Sequence, residues 1–210
     1  MSRETPKKGE RWRIFCAIEL QQLINEQLMQ HIAALRRAVP HAQASWARAA
    51  SIHLTIKFLG EIRASLVERV TLAASKAVEQ IGPFKIEIGG TGAFPKRGMP
   101  TVLWIGVNDL SDELGHLHKN LELECARVGF PREEKAFHPH LTVARLRKPQ
   151  GSRTLAATHQ EMEVAPTVVE VSDLLVIRSE LNSEGSRYSV ISRHSLAAKA
   201  SGGSGGHSCT

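Results

Sequence analysis

Two triplets, His53-Leu54-Thr55 and His140-Leu141-Thr142, carry the side chains of this chain best suited to chemistry. In an extended strand successive side chains alternate faces, so His53 and Thr55 point one way, as do His140 and Thr142, each pair ~7 Å apart along the chain. The intervening Leu54, Ile56 and Phe58, and Leu141 and Val143, are apolar and are expected to pack under covering elements. Each triplet therefore reads as a half-buried strand presenting an imidazole and a hydroxyl. A lone His-x-Thr would say little, because ten histidines are spread through the chain. A second copy 87 residues further on suggests two structural halves that bring like strands side by side. Two imidazoles facing one cleft can act together as acid and base: with an ordinary pKa near ~6.5, one ring is neutral while its partner is charged around neutral pH.

Metal chemistry has thinner support. Zinc needs three or four ligands; His138 and His140 would share a strand face, but neither a carboxylate nor a cysteine stands beside them. His116 and His118 are two apart on an expected helix and point in different directions. No metal or other cofactor is expected. Gly89-Gly90-Thr91-Gly92 lacks the Gly-Lys-Ser/Thr ending of a triphosphate-binding loop, and no helix is expected after it. Lys96 and Arg97, on the same loop, read as a solvated hairpin tip, with contact to a phosphate-bearing ligand as the other reading. Cys16, Cys125 and Cys209 have no paired spacing, which excludes a disulfide framework or zinc ribbon and suits a reducing cytoplasm. The net charge of +6 favours a polyanionic ligand but is weak for a dedicated DNA binder. Residues 1–10 lack an apolar signal core, and no run approaches the ~20 apolar residues of a membrane span. The chain is expected in the cytosol, as a monomer with no membrane partner.

The elements that must position the triplets follow from periodicity. Residues 12–20 alternate, with Ile14, Cys16, Ile18 and Leu20 on one face, and predict a strand. Helices are predicted over 21–39, ended by Pro40, over 64–80, ended by Gly82-Pro83, and over 108–128, with Leu110, Leu114, Leu117, Leu121 and Cys125 along one side. Residues 84–88 and 100–107 read as strands around a Gly- and Pro-rich loop at 89–100, and 152–160 as a short helix. Residues 167–177 read as a buried strand pair or one bent strand, and Glu184-Gly185 as a hairpin turn before a closing strand at 187–195. Together these predict an α+β domain over 11–196. The tails at 1–10 and 197–210, the latter Gly/Ser-rich, are expected to be flexible.

These residues resemble the two-histidine (2H) phosphoesterases, most closely their bacterial RNA 2′,3′-cyclic phosphodiesterase branch, formerly called 2′-5′ RNA ligase. The resemblance spans residues 11–196. It includes Arg13-Ile14-Phe15-Cys16-Ala17-Ile18, Trp46, the signature His53-Leu54-Thr55-Ile56-Lys57-Phe58-Leu59-Gly60, the second signature Pro139-His140-Leu141-Thr142-Val143-Ala144-Arg145, and Arg187-Tyr188-Ser189-Val190 as closing strand. It implies two pseudo-symmetric, interwoven antiparallel-sheet lobes with helices outside and a central groove lined by the two His-x-Thr strands. It also implies metal-independent hydrolysis of an RNA 2′,3′-cyclic phosphate end, or of a small cyclic nucleotide, to a 2′-phosphate. His53 would be general acid and His140 general base, an order the residues alone do not set, with Thr55, Thr142 and Arg145 holding phosphate oxygens. Phe15 and Trp46 are candidates for base or ribose contacts. Arginine suits phosphate because its planar donors bind two oxygens at once, yet strict alternation from His140 puts Arg145 on the opposite face. The two agree if the strand twists, bulges or ends near Ala144. A non-catalytic RNA-end binding protein is the alternative reading, although binding alone needs no matched acid and base. Reversible 2′-5′ joining stays open, without an ATP-binding or lysine-adenylate motif to drive it.

Overall fold

Alternation over Arg11–Glu19 makes the first strand, β1, and leaves it buried on both faces: Ile14, Cys16 and Ile18 on one side and Phe15 and Ala17 on the other are all at most 3% exposed. The computed structural model describes residues 9–182 and 185–197, so the expected tails fall almost wholly outside the described residues, as do the hairpin residues Ser183 and Glu184. After β1 the chain runs through α1 (Gln22–Ala38), β2 (Ala44–Trp46), β3 (His53–Arg63), α2 (Val67–Val78), β4 (Phe84–Phe94), β5 (Val102–Asp109) and α3 (Glu113–Arg127). It continues through β6 (His140–Leu146), α4 (Ser152–Glu161), β7 (Thr167–Val171), β8 (Asp173–Asn182) and β9 (Gly185–Ser195).

The strands form two antiparallel sheets, a four-stranded one ordered β3-β1-β8-β9 and a five-stranded one ordered β2-β6-β5-β4-β7. The N-terminal segment lends β2 to the second sheet and the C-terminal segment lends β8 and β9 to the first, so the lobes are interwoven. Helices cover one face of the sheets. Helix α1 has no side-chain N-cap and no acid in its first turn, and it is held by Ile24, Leu28, Ile32 and Leu35, each at most 1% exposed. Full burial of such side chains contributes roughly 1.5–3 kcal/mol apiece, more than propensity supplies to one helix. Among the described residues no helix is long and apolar enough to cross a membrane.

Two expectations need correction, one open alternative is decided, and one element goes unread in the sequence. Residues 89–94 are strand and not loop: Gly89 pairs with Gly106, and after a bulge at Gly90 (φ 69°) Gly92 pairs with Trp104. A side chain at Gly92 would stand 2.2 Å from the Trp104 indole, so this glycine makes room for a ring and breaks nothing. Helix α3 starts at Glu113; β5 runs on to Asp109, Leu110 is 52% exposed, and Asp112 is left-handed (φ 63°). The buried run at 167–177 divides between the two sheets, with β7 on β4 and β8 on β1, and Ser172 as the switch. Strand β2 is absent from the periodicity reading, because three residues carry no period.

Candidate active site

Strands β3 and β6, from different sheets, come within 8 Å of each other between Cα atoms. His53 and Thr55, and His140 and Thr142, are half-buried on the sheet faces turned away from the helices. Across β6 and β5, Trp104 pairs with Thr142 but Leu103 pairs with Ala144, so Val143 is an extra residue in β6. Val143 and Ala144 consequently both face the core, at 0% and 1% exposed, and exposed Arg145 returns to the face of His140 and Thr142. The bulge resolves the conflict between strict alternation and a phosphate-binding Arg145.

Strand β3 has the same device. Cys16 and Ala17 pair with Lys57 and Thr55, leaving Ile56 extra, so Ile56 and Lys57 both turn inward. Phe58 then emerges on the open face, 52% exposed, opposite its cross-strand partner Phe15. Packing of Phe58 beneath covering elements, as alternation predicts, is thus overturned by one inserted residue. The Arg13 guanidinium lies 4.8 Å above the Phe58 ring.

The two histidines are oriented alike and surrounded differently. His53 stacks on Phe15 (4.6 Å between ring centres, 23° between planes) and meets the edge of Tyr188 at 5.3 Å. Burial among these rings pushes its pKa down to about 4, against a hydrogen bond with the Ser51 backbone that raises it. His140 Nδ1 donates to the His138 carbonyl at 2.7 Å, which leaves Nε2 as the lone-pair nitrogen free to accept a proton. Phe94 meets it edge-on at 5.2 Å and Trp104 at 6.5 Å. Its cross-strand neighbours are Gly106 and, beyond it, Gly89, neither of which carries a side chain.

Phe15 is 3% exposed and forms the wall behind His53. Trp46 pairs with Ala144 and packs on the core, on the side of β2 away from the histidine face. The structure adds Tyr188, Phe94, Trp104 and Phe58 to the surroundings of the two histidines. Their strands are legible from spacing, but sheet order and bulge positions, which bring them there, leave no mark in the sequence. His138 precedes β6 and contributes its carbonyl; among the described residues no three His, Cys, Asp or Glu side chains converge.

Behind the open face, Lys57 Nζ donates to both Glu122 carboxylate oxygens at 2.7 Å and to the Pro131 carbonyl at 3.1 Å. Glu122 also accepts the Glu133 N–H at 3.0 Å. His118, one turn before Glu122, stacks on Phe137 (4.1 Å, 5°). These contacts fasten the segment that leads into His138 and His140.

The sequence profile of the 2′-5′ RNA ligase superfamily matches residues 24–182. An RNA 2′,3′-cyclic phosphodiesterase of Methanothermobacter thermautotrophicus is 30% identical over 179 residues, which are 84% of this chain and 94% of the relative. One of Aeropyrum pernix is 34% identical over 146 residues, 67% of this chain and 80% of the relative. Among solved structures, Escherichia coli LigT complexed with 3′-AMP superposes with a TM-score of 0.69 at 25% identity, covering 89% of this chain and 99% of that one. A Thermus thermophilus protein, TT0787, shares the fold, with a TM-score of 0.73 at 24% identity, covering 90% and 100%.

Proposed function

Because this chain belongs to the 2′-5′ RNA ligase superfamily, we propose that it hydrolyses RNA 2′,3′-cyclic phosphate ends to 2′-phosphates by paired-histidine acid–base catalysis. What supports this reading is the matched pair of neighbouring strands, each carrying His, Thr and, after a bulge, one further side chain on its non-core face. The curated relatives of Methanothermobacter and Aeropyrum bear the name of this activity.

In the proposed step His140 Nε2 takes a proton from water as the water oxygen bonds to phosphorus. The bond from phosphorus to the 3′ oxygen breaks, and His53 gives that oxygen its proton. The proton count balances, and the phosphate stays on the 2′ oxygen. Thr55, Thr142 and Arg145 hold the non-bridging oxygens, whose charge grows in the transition state. His53 is neutral in the free protein at pH 7, and an anionic phosphate beside it favours its charged form, so substrate binding itself arms the acid. The three cysteines lack paired spacing, which fits a reducing, cytoplasmic compartment.

Incubation with an RNA ending in a 2′,3′-cyclic phosphate, followed by phosphorus NMR, tests the reading. A 2′-phosphate is expected. A 3′-phosphate would mean that the substrate sits reversed, and an unchanged end that the protein only binds. Turnover is expected to survive exhaustive EDTA; loss restored by zinc or manganese would replace this mechanism with a metal-assisted one.

A further inference from the structure

The face of the five-stranded sheet that carries His140 changes character along its strands. Toward one end, β6 presents Thr142 and then Arg145. Toward the other end, beyond the row His140–Gly106–Gly89, stand Asn108 of β5 and its cross-strand partner Glu87 of β4. Alternation sets their direction: Ile86, Ile88 and Val107 point into the core, at most 5% exposed, so Glu87 and Asn108 point the opposite way, to the face of His140.

Asn108 Nδ2 donates to Glu87 Oε1 at 2.9 Å. An ionised carboxylate only accepts, so this bond fixes which end of the amide faces it and leaves Asn108 Oδ1 and Glu87 Oε2 as acceptors turned elsewhere. A third oxygen joins them. A side chain at Gly106 would stand 2.7 Å from the Gly89 carbonyl oxygen, so that carbonyl, beside the bulge at Gly90, leans over the same face. Strand β5 has no Lys or Arg, and the single cation of β4, Lys85, faces Glu170 across the sheet. His140 therefore stands between an end that carries a cation and an end made of acceptors. Phosphate oxygens are favoured at the first; the second suits a group that donates hydrogen bonds.

Resting on the function proposed above, we propose that Glu87 and Asn108 read the base of the nucleotide that bears the cyclic phosphate, selecting bases with an exocyclic amino group over those with a carbonyl in its place. Asn108 lies two residues along β5 from Gly106, the partner of His140, about 7 Å at ordinary strand rise, a span that the ribose and base of one nucleotide bridge. Gly106 and Gly89, which lie between, have no side chain to hold a base off the sheet. The amino group of cytosine or adenine donates to the acceptor rim. The oxygen of uracil or hypoxanthine in the same place meets the carboxylate as a second acceptor, and neither finds a donor.

The test compares the 2′,3′-cyclic phosphates of cytidine with uridine and of adenosine with inosine, pairs of nearly equal shape that exchange an amino group for a carbonyl. kcat/KM should favour cytidine over uridine, and adenosine over inosine, by about 10-fold. Glu87→Gln, a change of equal size at a solvent-facing position, should bring both ratios to about one. Equal values in the wild type would overturn the proposal and leave the hydrolysis standing. Ratios that survive Glu87→Gln, with all four substrates slowed alike, would overturn it too, by showing that the pair holds the ribose and does not read the base. If no cyclic substrate turns over, calorimetry with cytidine and uridine 2′-monophosphates still decides. Tighter binding of the cytidine ligand, lost in Glu87→Gln, supports the acceptor rim without the hydrolysis, and equal or absent binding defeats it.

Discussion

After its bulge β3 presents Phe58 beneath the Arg13 guanidinium, whereas β6 presents Arg145, which has no ion pair among the described residues. On the core side of the same bulges β3 carries Lys57, bound to Glu122, and β6 carries Ala144. The repeated features belong to the backbone: a His-x-Thr, an inserted residue, and a histidine ring hydrogen-bonded to the backbone two residues earlier. The differing features are side chains. The backbone thus duplicates the position of a proton carrier, and the side chains specialise the post-bulge positions: β3 offers an aromatic ring there, which suits a neutral, low-dielectric contact, and β6 offers charge, which suits phosphate. Lys57 also ties the first half to the segment that presents the histidine of the second.

The largest expected effect breaks both halves equally. His53→Ala and His140→Ala should each lower kcat about 100- to 10,000-fold with circular dichroism unchanged, because each removes one proton carrier and leaves the fold intact. Near wild-type turnover in either folded variant would end the paired-histidine account.

Arg145→Ala against Phe58→Ala sharpens the difference between the halves. Loss of a charged donor to the reacting phosphate should lower kcat by about 100-fold or more. Phe58→Ala should change turnover of a cyclic mononucleotide only a few-fold. Equal losses would mean that the two post-bulge positions do the same work.

Lys57→Met probes the coupling between halves. Removing one partner leaves Glu122 buried and uncompensated, which costs on the order of 3–5 kcal/mol and is read as a shifted urea midpoint. The double variant Lys57→Met, Glu122→Leu should recover a large part of this, since a well-packed apolar pair avoids the desolvation of both charges. If the single change is silent, the pair does not hold the segment before His138.

A smaller effect concerns pH. Burial lowers the pKa of His53 to about 4 and that of His31 likewise, with the nearby His159 adding to the shift at His31; His159 is itself lowered by burial. His159 Nε2 donates to the Trp104 carbonyl and its Nδ1 accepts from His31 Nε2, both at 2.9 Å, so this tie needs a neutral His159. Groups with depressed folded pKa values bind more protons when unfolded. Their contribution to stability is full above ~6.5 and is lost as pH falls toward ~4. Thermal scans across that window should show Tm falling with pH, and a flat Tm would contradict the burial assigned to these rings.

Much of this is readable in the sequence where period is strong. The two triplets, the helices with their apolar stripes and the strand read at 12–20 follow from spacing alone. The bulges do not, since one inserted residue reverses a face without altering composition: Ile56-Lys57-Phe58 looks like alternation gone slightly polar, and only pairing with Cys16 and Ala17 reveals the extra residue. The burial of Lys57 is hidden because Glu122, 65 residues away, is invisible to a local reading. Gly89–Gly92 reads as a loop because glycine usually breaks strands, whereas here a neighbouring indole requires it. Ser172 alone separates strands of different sheets, too little for any turn signal.

The most direct test of the central claim is the pH dependence of kcat/KM in the wild type and the two histidine variants. A base works unprotonated, so the acid limb belongs to His140; an acid works protonated, so the alkaline limb belongs to His53. The wild type should show both limbs, with residual activity of His140→Ala losing the acid limb and that of His53→Ala losing the alkaline one. Loss of the opposite limbs would exchange the two roles, and a bell that survives intact in both variants would contradict acid–base catalysis by this pair.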